Sequence, residues 1–365
     1  MAATSSPDGS GGAAPSEVAV VGFAQAPNVR ETNGTTNGVE MLMPSIREAL
    51  SDTGLSKEDI GFWCSGSSDY LAGRAFSFVA AVDAVGAYPP INESHVEMDA
   101  AWALYEAWVK ILTGEVDTAL VYGFGKSSAG NLRRVLGMQT DPYTVAPLWP
   151  DSVSIAGLQA RMGLDSGLWS QRDMAEVAAR SRRAAKANPA AQLSGDVTAE
   201  ELLERPYLAD PLHAHDCAPI TDGASVIVLA SADRARQLRD RPAWITGLEH
   251  RVDTPRLGAR DLTTSPSTVA AAKAAGADGV DTAELHAPFT HQEILLREAL
   301  GLGPDVGVNP SGGVLSGNPM FAAGLSRIGE AANRIFSGGS RRTLAHATSG
   351  PALQQNLVCV MEGQG

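Results

Sequence analysis

Several short stretches of this chain bring together residue types that can do chemistry. His286 lies in ELHAPF (residues 284–289), and His346 opens HATSGP (residues 346–351), with Thr348 two places on. A histidine at a strand's end, beside a glycine-rich loop, stands where proton-transfer groups collect. That loop is NPSGGVLSGNP (residues 309–319), in which Gly312, Gly313 and Gly317 precede Asn318. It is expected to bring backbone N–H groups close to a ligand and to stabilise an oxyanion. Glu97 and Asp99 stand two apart in VEMD, ahead of an apolar run. One reading is a carboxylate pair at a helix N-terminus, tuned for acid–base work. The other is a helix cap by Asp99 beside a solvated or hydrogen-bonded Glu97.

Other stretches carry weaker signals. His213, His215 and Cys217 alternate, so an extended strand would aim all three to one side. Zinc or iron would need a fourth ligand, and Asp216 sits among them; a packed core edge fits better, and no metal is expected. GFGKSSAG (residues 123–130) invites a nucleotide reading. A P-loop needs glycine where Leu120 stands, and a dinucleotide fingerprint needs one where Ser128 stands. Its glycines are expected to serve a tight exit from a strand. Arg180, Arg182, Arg183 and Lys186 share one amphipathic helix, a cationic face that either meets phosphates or is only solvated.

The elements that must position these groups read as α/β. Residues 17–23 (EVAVVGF) form a buried strand by type. Residues 39–50 follow with helical spacing around Pro44, then a strand at 60–64. Ala100–Leu112 (AAWALYEAWVKIL) is apolar on nearly every side and should run through the interior, with Asp99 as its cap. Strands are expected at 118–123 and 222–230, and between them residues 125–215 read as an inserted loop region with one helix at 174–186. The order repeats in the second half: strands near 243–248 and 282–286, helices at 265–275, 291–300 and 321–336, and closing strands at 343–347 and 357–361.

Composition sets the bounds. The 365 residues suit one large or two fused domains, and 44% hydrophobic residues suffice for a sizeable core. With 28 basic against 41 acidic residues, the charge of −13 argues against a nucleic-acid partner. No run of 18 apolar residues exists, so no membrane span is expected. Cys64, Cys217 and Cys359 are too few for a disulfide framework. Residues 1–15 read as a loose tail without the features of a signal peptide, and a cytoplasmic protein is expected.

Taken together, DGASVIVL (residues 222–229), ELHAPF, NPSGGVLSGNP and the segment 346–356 resemble, in order, the motifs of the thiolase superfamily. The resemblance runs from about Val18 to Glu362 and is nearest to its lipid-transfer branch, related to the thiolase domain of sterol carrier protein X. It implies the five-layered αβαβα thiolase fold, with similar halves at 16–235 and 236–365, commonly dimeric. It also implies coenzyme A thioesters as substrate or ligand, with no other cofactor. A thiolase carries a nucleophilic cysteine at the start of its first buried helix, but residues 95–102 hold none. Asn318 stands in place of the family's activating histidine, and the second cysteine is replaced near Thr348.

What this implies is an acyl-CoA-handling protein of lipid or sterol side-chain degradation, making or breaking a carbon–carbon bond, or transferring an acyl group, without the usual nucleophile. In that reading His286 is the acid–base group, Asn318 an oxyanion donor, and Glu97 or Asp99 stands near the lost thiol; His346 and Thr348 are secondary candidates. Some thiolase-like proteins of bacterial sterol side-chain breakdown are retro-aldolases with small OB-fold, zinc-ribbon partners. Those use tyrosines around the positions of His286 and Pro319, whereas this chain has none after Tyr207. The competing readings are a non-catalytic subunit paired with a thiolase-like paralogue, and a carrier of lipid or acyl-CoA.

Overall fold

The computed structural model describes residues 17–32, 38–72 and 76–363. The expected tail at 1–15 lies outside them. One sheet path joins strands from both ends of the chain, in the order Gly307–Val308, Thr282–Leu285, Arg342–Ser349, Gln355–Gly363, Ala243–Val252, Val18–Gln25, Ile220–Ser231, Thr118–Lys126, Phe62–Gly66 and Glu93–Val96. Parallel and antiparallel pairs are mixed along it. The join in the middle is narrow: Ala19 and Val20 pair with Trp244 and Ala243.

Two helices occupy the centre. Ala100–Leu112 lies where its composition predicts, and Ala323–Phe336 packs against it. They share a core in which Leu104, Ile111, Leu325 and Ile328 meet Val121, Ile227, Leu357 and Met361 from strands of both ends of the sheet. The helix Gly38–Thr53, with Pro44 inside its first turns, covers a second core beside Trp63 and Tyr122. Pro266–Ala275 and Thr290–Ala299 cover a third, around Leu285 and Val358.

The region 125–215 is more helical than expected. It contains Leu132–Met138, Ser152–Asp165, Gln171–Ala184 and Ala199–Leu203. Its prolines fall between these helices, so they separate elements without preventing them. Ser77–Val85 and the edge strand Glu93–Val96 were not evident from periodicity. The four residues of that strand are all only half-buried, which leaves no alternation to detect. Among the described residues, no helix is long and apolar enough to cross a membrane.

Candidate active site

Asp99 does cap the helix Ala100–Leu112, but it does more than that. Its Oδ1 accepts from Ala101 N at 2.9 Å and from Leu325 N at 3.1 Å, while Oδ2 accepts from Gly324 N at 2.9 Å. One buried carboxylate thus closes the N-termini of both central helices. Burial pushes its carboxyl above the usual range, against the pull of those three N–H groups and the charge of Arg327. Gly324 admits this contact because a Cβ there would lie 2.6 Å from Oδ1. Glu97 faces elsewhere: it is exposed, accepts from Asp69 N at 3.0 Å, and lies 3.5 Å from His95 Nε2. The carboxylate-pair reading therefore gives way to the cap and a separate surface hydrogen bond.

The glycine loop also differs from expectation. Gly312 N donates to Asn309 O at 2.9 Å, Gly313 N to Ser311 Oγ at 3.3 Å and Gly317 N to Val314 O at 3.2 Å. All three donors are used within the loop, so they are not aimed at an oxyanion. The glycines serve conformation and close packing instead. Gly312 (φ +95°) and Gly313 (φ +60°) are left-handed, and a Cβ on Gly317 would lie 2.8 Å from Asn28 Nδ2. What holds the loop is a buried ion pair. Arg327 Nη1 lies 2.7 Å from Glu284 Oε2 and 2.6 Å from Ser311 Oγ, while Glu284 accepts the Ser311 N–H at 2.9 Å. Sequence reasoning passed over Arg327; an arginine inside a strongly amphipathic helix, opposite the glutamate of ELHAPF, was the available signal.

Asn318 follows the loop in a short pairing with Ile220. It is buried, its Oδ1 has no partner, and its Nδ2 donates to no group among the described residues. An amide whose donor side is not consumed by the fold can still serve a ligand oxygen.

His286 is buried at the end of its strand, with its backbone N–H on His346 O at 3.1 Å. Burial first, then the charges of His346 and Arg327, push its pKa down to about 3. It is a neutral imidazole at pH 7 and a weak base. Thr348 N points at its Nδ1 across 3.5 Å, which suits the tautomer carrying its proton on Nε2. Burial thus leaves the histidine expected to do acid–base work with little basicity.

His346 turns away from this site: its Nε2 meets Asn356 Oδ1 at 2.9 Å, and Asn356 continues to Ser267 Oγ at 2.7 Å. Burial pushes His346 down to about 4. Thr348 Oγ1 donates to Gln355 O at 2.9 Å, a contact between the closing strands.

No thiol replaces the missing nucleophile. Burial, then the nearby carboxylate of Asp216, raises Cys217 to about 12, burial alone raises Cys359 to about 12, and burial with Glu106 raises Cys64. The stretch 123–130 is not a phosphate loop either. Lys126 Nζ pairs with the buried Asp222 at 3.0 Å, and Ser128 and Thr32 donate to the same carboxylate. Burial opposes ionisation of Asp222, but those hydrogen bonds hold its pKa low.

The four cations expected to meet phosphates divide. Arg180 pairs with the buried Glu293, and Lys186 with Asp196 at 2.6 Å. Arg183 is exposed, and Arg182 lines a separate cavity with Arg205 and His215. His213, His215 and Asp216 place their ligand atoms within 4.8 Å of one another, whereas Cys217 directs its thiol to His213 O at 3.7 Å.

No family model matches the chain. It superposes on the solved structure described as an Ltp2-ChsH2(DUF35) aldolase with a TM-score of 0.78, covering 95% of this chain and 98% of that one at 19% identity. The chain thus has an α/β thiolase fold with a mixed sheet, matched over nearly its whole length. By sequence it is 29% identical to an acetyl-CoA acetyltransferase of Methanothermobacter thermautotrophicus, over 54% of this chain and 58% of that protein's length. It is 24% identical to the sterol carrier protein 2 of Gallus gallus over 90% of this chain and 69% of the relative. It is 28% identical to the 17-hydroxy-3-oxo-4-pregnene-20-carboxyl-CoA lyase of Mycobacterium tuberculosis, over 63% of this chain and 61% of the lyase. The chain is thus similar to members of the thiolase superfamily, with lipid-transfer proteins and a steroid carboxyl-CoA lyase among its relatives.

Proposed function

We propose that this protein acts on an acyl-CoA thioester of lipid or sterol side-chain breakdown and cleaves a carbon–carbon bond beside the thioester without an acyl-enzyme. The observation that carries this reading is the use of Asp99 as a double helix cap where a thiolase has its nucleophile, with every cysteine buried or raised far above neutrality. Covalent transfer needs a nucleophile, and none is available there. What is left is His286, neutral and offering Nε2–H, and Asn318 with its unengaged amide. Two neutral donors suit a thioester oxygen as it becomes an enolate during retro-aldol cleavage, with solvent water taking the 3-hydroxyl proton as the carbon–carbon bond breaks and returning a proton to the α-carbon. The names of two relatives, a carboxyl-CoA lyase and an aldolase, support that class of reaction. The aldolase is described as a complex with a DUF35 protein, so a small partner of that kind is part of the proposal.

A second reading has its own support. Loop N–H groups turned inward and a nucleophile position filled by a structural carboxylate suit a non-catalytic subunit beside an active thiolase-like paralogue. One experiment separates the two. Panels of 3-hydroxy- and 3-keto-acyl-CoA, sterol side chains included, are followed by mass spectrometry with and without free CoA. Cleavage that needs no added CoA supports the lyase. Product that requires CoA overturns it in favour of thiolysis. No product, alone or with a co-expressed DUF35-type partner, favours the subunit.

A further inference from the structure

A cavity of about 190 Å³ lies between the helix Gln171–Ala184, residues 194–197, the helix Ala199–Leu203 and the turn at 214–216, and none of the glycine-loop residues lines it. Arg182, Arg205, His215 and Ser194 line it. Among the described residues neither guanidinium takes part in an ion pair, although each stands in the other's field. His215 is only 4% exposed, and neither of its ring nitrogens has a hydrogen-bond partner. A buried imidazole with both nitrogens unmet is costly unless something polar enters beside it. The one carboxylate in the lining, Asp196, is held by Lys186 at 2.6 Å. Behind His215, the Asp216 carboxylate accepts from Thr290 Oγ1 at 2.7 Å and from the His213 N–H at 2.8 Å, and its Oδ1 lies 3.7 Å from His215 Nε2.

Two guanidinium groups outside any ion pair repel a metal ion, even though His213, His215 and Asp216 are near enough together to bind one. They attract a doubly charged tetrahedral oxyanion, whose oxygens match their planar forks. The volume suits one such group with ordered water.

We propose that this cavity binds a phosphate-type dianion, held by Arg182, Arg205 and His215. Inorganic phosphate and the terminal monoester of a nucleotide share that chemistry. The site stands on these residues alone and does not rest on the reading of the reaction.

The test is calorimetric titration of the full chain with inorganic phosphate at low ionic strength. Saturable one-site binding is expected, weakened about tenfold or more in Arg205→Gln and in Arg182→Gln, and unchanged in Arg256→Gln. Arg205 is exposed, so its substitution does not threaten the fold. Absence of saturable binding overturns the proposal, and so does equal affinity in all three variants. Competition then assigns the source. Displacement of phosphate by CoA but not by 3′-dephospho-CoA supports a nucleotide monoester, and displacement by neither supports the free anion.

Discussion

Asp99 and Gly324 lie 225 residues apart, yet the Asp99 carboxylate accepts the Gly324 N–H at 2.9 Å. Through this contact the first turn of one central helix is fixed to the first turn of the other. Each helix N-terminus carries partial positive charge and unsatisfied donors, and one carboxylate answers both. The same geometry removes Asp99 from chemistry. Its oxygens already hold three N–H groups, so none is presented to a substrate.

Replacing Asp99 should therefore cost stability directly. Asp99→Ala leaves buried donors on both helices without a partner, and a loss of about 2–4 kcal/mol is expected in chemical denaturation. Asp99→Asn keeps one acceptor oxygen and should fall between the wild type and Ala. A change under about 0.5 kcal/mol in the Ala variant would remove the double cap from this account.

The Arg327–Glu284 pair under the loop makes a second, separable case. Both side chains are almost fully buried, and Ser311 bridges them. Glu284→Gln strands the guanidinium charge and should destabilise by about 3–5 kcal/mol. The double change Glu284→Gln with Arg327→Met, which removes both charges, should recover part of that loss. If the double variant is less stable than the sum of its single changes, the pair is not what holds the loop.

Much of the scaffold was legible because its signals are local. Ala100–Leu112 is apolar on most sides, and it was read to the residue. The strands near Val121, Val228 and Val358 contain short, almost wholly apolar runs, which is a local signal. Asp99 as a cap was legible too, since capping is decided within two residues of the chain. Its second role was not, because Gly324 approaches only in three dimensions. The same holds for the loop: its glycines announce tight turns, but only the fold reveals that Asn309, Ser311 and Val314 consume their N–H groups. The cationic face of Gln171–Ala184 looked uniform in sequence, whereas burial of Glu293 and the position of Asp196 divide it. Arg205 carried no recognisable spacing, and the alternation that singled out His215 pointed to a metal or a core edge and not to a cavity shared with arginines.

Acid should destabilise the protein in a defined window. His286 and His291 are pushed by burial to about 3, and His346 to about 4, from an ordinary 6.5. Folded values below the unfolded one mean that unfolding takes up protons, so stability present above pH 6.5 is lost as pH falls toward 4. Each such histidine adds about 1.4 kcal/mol per pH unit to the slope. His291→Phe, which fits beside Trp169 and Phe289, should reduce the slope by one proton. A stability flat between pH 6 and 4.5 would contradict neutral burial of these rings.

The remaining prediction concerns what His286 does. If the proton sits on Nε2 and the ring stays neutral down to about pH 3, turnover should show no inflection belonging to this histidine between pH 5 and 8. His286→Gln retains an N–H donor and should keep measurable turnover, while His286→Ala should lose it without a matching fall in Tm. Asn318→Ala should slow the reaction by about 10²–10³-fold, the effect of one oxyanion donor. The contrast between Gln and Ala at residue 286 is decisive, because a general base cannot be replaced by an amide. Equal inactivity of both variants, together with a wild-type pH inflection between pH 5 and 8, would make His286 the base and overturn the donor role.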